Sequence, residues 1–309
     1  MFFLIIQQVN RYAVVLVKNK INLILFYIRQ NVEKIPAPPQ NLSLEIIRGC
    51  NFHCQHCFSR LYSDRIAQAY PFQCMPTDRV HSLLKDARSI GCRTVTFCGL
   101  GEPTAHPDFF LFLSWAKDLG YSVEFTSNGW TLEPEKLGML DSRDSVRISI
   151  DTMHLQGSPR SQDYLKKMAD LFSSHQKNFK MIAVAHGDCT PEIQTMFLEN
   201  NMPVIYYPLM KNARSAALQK KRTSLIPCLY PWYSLAVHLD FTAGPCPCAT
   251  WVSVGELNEL TTLRDIWYGA GMNNFRNKLR SGNFPDVCAT CDRVNRKTSA
   301  WIQALCRKH

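Results

Sequence analysis

No uninterrupted apolar run in this chain reaches the roughly 18–20 residues that a bilayer-spanning helix needs. Apolar stretches crowd the first thirty residues (Phe2–Ile6, Ala13–Val17, Ile21–Ile28), but Arg11, Lys18 and Lys20 break them. We read residues 1–30 as an extension packed against the main domain, with membrane contact through an interfacial helix as the alternative. A basic segment followed by a small-residue cleavage site is missing too, so secretion is not expected. Acid is scarce relative to base: 25 Asp and Glu stand against 35 Lys and Arg, a formal net charge of +10. Yet Gln219-Lys220-Lys221-Arg222 is the only dense basic run, and scattered cations do not build a nucleic-acid surface. No nucleic-acid partner is expected.

What the chain has in quantity is apolar side chains and thiols. A length of 309 residues with 46% hydrophobic content suits a barrel-sized domain plus an appendage. Thirteen cysteines, an odd number, without a secretion signal point to metal ligands and not to a disulfide framework. That usage places the protein in the cytoplasm. The stretch Ile35-Pro36-Ala37-Pro38-Pro39 reads as a linker, because proline cannot propagate a helix.

From Leu42 onward, short β-rich runs alternate with helical stretches, the pattern of βα units and a parallel sheet. Strands are expected at Leu42–Arg48, Thr94–Cys98, Ser122–Ser127, Val146–Ile150, Met181–Ala185 and Pro203–Tyr207. Between them lie helices over Thr77–Ile90, Asp108–Leu119, Glu133–Leu140, Asp163–Phe172 and Pro191–Asn200. In the first helix Thr77 is the expected cap, Val80, Leu83, Leu84 and Ala87 form one face, and Gly91 ends it.

The most informative segment is Cys50-Asn51-Phe52-His53-Cys54-Gln55-His56-Cys57, three thiols spaced CxxxCxxC after the first strand. A protein-held [4Fe–4S] cube normally takes four thiolates, so three leave one iron open to another ligand. The alternative is half of a zinc site, since His53 and His56 are competent ligands, but the next cysteine, Cys74, stands alone. The motif resembles that of the radical SAM superfamily. The resemblance implies a cluster on Cys50, Cys54 and Cys57 whose open iron is chelated by S-adenosylmethionine (SAM). Relatives carry an aromatic residue before the third cysteine; His56 stands there, so the resemblance assigns the adenine contact to His56 or Phe58.

Later segments extend the likeness. Cys98-Gly99-Leu100-Gly101-Glu102-Pro103 is similar to the family's GGEP motif, the match falling on Gly101, Glu102 and Pro103, with His106-Pro107-Asp108-Phe109 following. Glycine there lets backbone carbonyls approach an ammonium group. Thr126-Ser127-Asn128-Gly129 resembles the TNG segment, with Ser127 and Asn128 offered to ribose or carboxylate. Ser149-Ile150-Asp151 resembles the SID segment, Ser149 facing cofactor and Asp151 substrate. Arg214-Ser215-Ala216 stands where relatives carry Gly-Arg-Ala, with Ala213 replacing the glycine. Arg160 is either a carboxylate partner near the mouth or a solvated arginine. The implied fold is α/β: a partial (β/α)6 TIM-like barrel over residues 41–215, after the extension and linker of residues 1–40.

Residues 216–309 are cysteine-rich again: Cys228, Cys246, Cys248, Cys288 and Cys291, with Gly255-Glu256-Leu257 and Leu263-Arg264-Asp265-Ile266-Trp267 between. They resemble the SPASM/twitch extension, a small α+β domain holding auxiliary iron–sulfur clusters. The resemblance implies one auxiliary cluster on Cys228, Cys248, Cys288 and Cys291, with Cys246 as the alternative to Cys248. A four-cysteine zinc site is the competing reading. Cys74, Cys92, Cys98, Cys189 and Cys306 are read as buried or incidental thiols. For Cys98, beside the cradle, the alternative is hydrogen donation to a substrate radical.

The family's activity is reductive cleavage of SAM to a 5′-deoxyadenosyl radical that abstracts hydrogen from a substrate. The implied partner is a low-potential donor of the flavodoxin or ferredoxin type. The auxiliary domain points to a ribosomal peptide as substrate, and a sugar, nucleoside or cofactor precursor is the alternative. A non-catalytic iron–sulfur electron carrier or redox sensor is the reading from another class.

Overall fold

The computed structural model describes residues 37–52, 54, 57, 72–150, 159–175, 179–186, 191–207, 228–247, 249 and 252–289. The first half comprises β1 (Asn41–Leu44), β2 (Ile47–Arg48), β3 (Gln73–Cys74), α1 (Thr77–Ser89), β4 (Thr94–Phe97), α2 (Phe109–Asp118), β5 (Ser122–Ser127) and β6 (Ser145–Ile150). Then follow α3 (Pro159–His175), β7 (Lys180–His186), α4 (Pro191–Glu199), β8 (Val204–Tyr207), α5 (Tyr230–Tyr233), β9 (Ser234–Val237), β10 (Thr242–Gly244) and β11 (Gly255–Glu256). Helices α6 (Leu263–Tyr268), α7 (Ala270–Arg280) and α8 (Asp286–Ala289) complete the described elements.

Nine strands form one sheet in the order β11-β10-β9-β1-β4-β5-β6-β7-β8. The six expected strands are all present, and β1 and β4 to β8 each pair in parallel with the next. This is a mixed α/β fold with a parallel sheet, a partial TIM-like barrel. The first expected strand is shorter than its sequence pattern. Ile47–Arg48 leaves the sheet to pair antiparallel with Gln73–Cys74, which turns the chain into the cysteine loop.

The cysteine-rich third joins the same sheet. β9 pairs in parallel with the free edge of β1, Asn41 opposite Ser234 and Leu44 opposite Val237, and β10 and β11 continue antiparallel. Helix α6 is tied to the first βα unit, since Leu263 donates its backbone N–H to Asp86 at 2.9 Å. Trp267 Nε1 donates to the Ala37 carbonyl at 2.9 Å, so the proline-rich linker is pinned as well.

The two faces of the sheet differ. Leu42, Val95, Phe97, Val123, Phe125, Val146 and Ile148 are buried on one face, in a core shared with α1, α2 and α3. The period-2 alternation of the strands puts Ser43, Thr96, Glu124, Thr126 and Arg147 on the other. Parallel sheets covered on both sides read as continuous hydrophobic runs. The second face is instead polar, with Arg147 and Glu124 3.5 Å apart and partly exposed.

Helix α1 buries Val80, Leu83, Leu84 and Ala87, as its spacing requires. Burying a leucine of this kind contributes about 2 kcal/mol. Thr77 is not its cap. Pro76 occupies that position without a side-chain bond, and the Thr77 hydroxyl donates to Asp108 at the start of α2. Gly91 does end the helix with φ of 114°, and a Cβ there would lie 2.9 Å from Pro38. The stretch expected as a helix at Glu133–Leu140 is a 3-10 turn, Pro134–Met139. Among the described residues no helix is long and apolar enough to cross a membrane.

Candidate functional site

The cysteine loop leaves β2 through Gly49, whose φ of 128° and tight approach to Phe72 exclude a side chain. Gly49 forms a parallel bridge with Gly101, and its carbonyl accepts the backbone N–H of Glu102 at 3.0 Å. A Cβ on Gly101 would meet the carbonyl oxygens of Gly49 and Ile47 at 2.5 and 2.6 Å. The loop and the turn after β4 are therefore in backbone contact, and only glycine permits it.

Beyond that bridge, polar side chains of the β4 and β5 turns bind one another. Glu102 is buried, and its carboxylate accepts the Thr104 N–H at 3.1 Å, the Thr104 hydroxyl at 2.6 Å and the Asn128 N–H at 2.7 Å. Burial raises the Glu102 pKa, against the lowering effect of these donors. Ser127 accepts the Gly129 N–H at 2.9 Å, and Asn128 Oδ1 accepts the Trp130 N–H at 2.9 Å. The Asn128 amide donates to Asn51 Oδ1 at 2.8 Å and approaches the Cys50 sulfur at 3.8 Å. The groups that the sequence directs at ribose or carboxylate thus also shape the turn and brace the loop.

Cys50, Cys54 and Cys57 are half-buried, and Cys57 donates its backbone N–H to the Cys54 carbonyl at 3.1 Å. The Cys50 sulfur accepts the Phe52 N–H at 3.3 Å. Burial, with the charges of Glu102 and Cys57 adding to it, pushes the Cys50 thiol up to about 12. A bare thiolate is unfavourable here, and bonding to a cationic metal centre is what stabilises one. Among the described residues no three His, Cys, Asp or Glu side chains converge closely enough to hold a metal ion. The fit to a cluster with SAM comes from the three-thiol donor set, the glycine cradle and Asn51 Nδ2, buried in the loop without a hydrogen-bond partner.

Three contributors were missed by the sequence reading. Phe52 packs its ring 6.1 Å from Trp130 and 5.9 Å from Tyr164, which stack on each other at 6.0 Å. The Tyr164 hydroxyl reaches the carbonyls of Asn128 at 2.8 Å and Ser149 at 3.3 Å, spanning the ends of β5 and β6. An aromatic residue on a helix carries no local signal of such a role. Cys98 lies 2.9 Å from the Ser43 hydroxyl and lines a small cavity with Glu45, His238 and Pro247. His56, Phe58, Asp151, Cys248, Cys291, the Arg160 side chain and Arg214-Ser215-Ala216 lie outside the described residues.

In the C-terminal region Cys228, Cys246 and Cys288 are half-buried. Cys288 packs against a small core of Trp232, Phe275 and Leu279. Arg276 is buried beside it, donating to the carbonyls of Pro231 and Trp267, both at 2.8 Å, and burial draws its pKa down to about 9.

Comparison with known proteins agrees with this geometry. Residues 44–188 match the model of the radical SAM superfamily, so the chain carries a radical SAM domain. Residues 228–292 match SPASM, an iron–sulfur cluster-binding domain, so a SPASM domain follows it. The AdoMet-dependent heme synthase of Methanosarcina barkeri is 30% identical over 112 residues, which cover 36% of this chain and 30% of that protein. The PqqA peptide cyclase of Gluconobacter oxydans is 29% identical over 128 residues, covering 41% of this chain and 34% of the cyclase. The matched part thus spans about a third of these curated relatives. Streptococcus suis SuiB, solved bound to precursor peptide SuiA, shares the fold with a TM-score of 0.59 at 15% identity, covering 82% of this chain and 69% of SuiB.

Proposed function

We propose that this chain is a radical SAM enzyme that modifies a ribosomal peptide. Cys50, Cys54 and Cys57 would hold the [4Fe–4S] cluster, with SAM bound against Gly101, Glu102, Pro103, Ser127, Asn128 and Ser149. The observation that carries the reading is the Gly49–Gly101 bridge, which sets a three-thiol loop directly on a glycine cradle. When bound, the cluster and SAM supply one-electron cleavage of the sulfonium–C5′ bond and hydrogen abstraction from an unreactive C–H bond. The chain's own residues supply geometry. Gly49 and Gly101 fix the loop to the cradle, Glu102 and Asn128 tie the cradle to the next strand, and Tyr164 holds two strand ends at one spacing.

The peptide substrate is supported by two named relatives, a peptide cyclase and a protein solved with its precursor peptide. The partly exposed polar sheet face suits a chain rich in amide groups. A small-molecule substrate is the second reading, favoured by the likeness to a heme synthase. Cys228, Cys288, Cys291 and either Cys248 or Cys246 would hold an auxiliary cluster, a flavodoxin or ferredoxin would deliver electrons, and the setting would be the cytoplasm.

The test is anaerobic reconstitution, with iron counted per chain and 5′-deoxyadenosine assayed after dithionite and SAM. About eight irons and 5′-deoxyadenosine formation are expected. About four irons with zinc retained would make the C-terminal site structural. A fully loaded protein that forms no 5′-deoxyadenosine would instead be a carrier or sensor.

A further inference from the structure

Glu45 follows β1 and is a buried acid with four hydrogen-bond donors around it, outside the cradle. Its side chain is 1% exposed. One oxygen accepts Arg48 Nε at 3.2 Å and the backbone N–H of Leu100 at 3.2 Å. The other accepts Arg48 Nη2 at 3.0 Å and the backbone N–H of Leu239 at 2.9 Å. His238 Nδ1 lies 3.8 Å from that second oxygen. Arg48 also pairs with Asp240 at 3.2 Å, and Asp240, in the turn between β9 and β10, accepts from Thr242 at the start of β10.

These partners come from three segments, two of them distant in sequence, each next to a part of the site. Arg48 lies two residues before Cys50. Leu100 is the residue before Gly101 and Glu102. Leu239 and Asp240 begin the hairpin that leads to Cys246. A Cβ on Gly99 would lie 2.5 Å from Glu45 Cγ, so the cradle turn rests on the Glu45 stem without slack. Interiors packed to this density transmit a shift in one element to its neighbours. A buried carboxylate with four donors is also costly to disturb, because removing its charge leaves those donors poorly matched.

We propose that Glu45 is a positioning residue through which the C-terminal domain sets SAM affinity. Together with Arg48 and Asp240 it locks the cysteine loop, the SAM cradle and the first hairpin of the SPASM domain into one unit. The inference rests on the radical SAM reading above and adds a role that no cluster or SAM ligand performs. Asp240, half-exposed and outside the cradle, acts only through Arg48.

The test uses the full chain, reconstituted anaerobically, as wild type, Glu45→Gln, Asp240→Asn and Asp265→Asn. Asp265 serves as the control, because it caps α6 in the same region through Thr262 and does not touch Glu45. Iron per chain, the SAM-induced change in the cluster's electron paramagnetic resonance signal, and KM for SAM against kcat are read. Glu45→Gln should keep its iron and raise the Kd and KM for SAM about tenfold, with kcat changed less. Asp240→Asn should raise them about threefold, the smaller effect expected of a partly exposed pair. Asp265→Asn should lower the thermal midpoint and leave SAM affinity alone.

Wild-type affinity in fully loaded Glu45→Gln and Asp240→Asn would overturn the inference. So would an Asp265→Asn effect on Kd as large as that of Asp240→Asn, which would mark general loss of stability. If Glu45→Gln does not load iron, Asp240→Asn decides alone. A wild type that loads iron and binds no SAM would overturn the functional reading, and this inference with it.

Discussion

Glu102 accepts the backbone N–H of Asn128 at 2.7 Å, joining the turns after β4 and β5 through one buried carboxylate. In Glu102→Gln an amide NH2 faces either that N–H or the Thr104 donors, and one of them loses its acceptor. A loss of about 2 kcal/mol in urea unfolding is expected, with weaker SAM binding at unchanged iron content. Unchanged stability together with unchanged SAM affinity would show that the brace is dispensable.

Gly101→Ala should be far worse, since its Cβ would fall within 2.6 Å of two carbonyl oxygens that cannot swing away. Opening the Gly49–Gly101 bridge is expected to cost about 3 kcal/mol and to separate the cysteine loop from the cradle. Anaerobic reconstitution should then recover little SAM-responsive cluster. Wild-type SAM binding in this variant would refute the bridge as the organising contact.

Tyr164→Phe keeps the aromatic stack and removes only the hydroxyl that reaches Asn128 and Ser149. About 1 kcal/mol of stability should be lost, together with a higher KM for SAM. Thermal melts and initial-rate assays measure the two effects separately. An altered kcat at constant KM would point to a role nearer the chemistry.

Replacing Cys50, Cys54 or Cys57 by Ala should remove about four irons and abolish 5′-deoxyadenosine formation. Replacing Cys228 or Cys288 should remove a similar number and leave reductive SAM cleavage in place. Turnover of substrate, or the stability of the C-terminal region, should suffer instead. Full turnover without the second cluster would exclude it as an electron relay.

Asp141 gives a pH signature away from the site. Bonds from Arg143, and then from Lys117, hold its carboxyl well below the usual carboxylate value of 3.8. Its contribution is present above pH 3.8 and is lost as pH falls from there through the depressed folded value. With its side chain 42% exposed, solvent screening limits the effect to below about 1 kcal/mol. The acid limb of the stability–pH curve should therefore be slightly flatter in Asp141→Asn, and an identical limb would show that the pair contributes nothing.

Much of this protein is written locally in its sequence. The CxxxCxxC spacing, the glycines of the cradle, the alternation of β1 and β4 to β8 and the buried face of α1 all follow from residue type and short-range period. Local chemistry misled where a distant partner competed. Thr77 has the side chain of a cap, yet its hydroxyl goes to Asp108, 31 positions away.

Three features were decided by tertiary structure alone. β9 extends the barrel sheet because Asn41 meets Ser234 across 193 positions, and no local pattern encodes that pairing. Glu45 becomes a junction because a buried carboxylate must collect donors, and folding brings Arg48, Leu100 and Leu239 within reach. Tyr164 becomes part of the site for the same reason: its hydroxyl is buried on a helix whose own backbone is already bonded, so the carbonyls of Asn128 and Ser149 satisfy it. Sequence determined which residues carry the chemistry, and the long-range satisfaction of buried polar groups decided which of them meet.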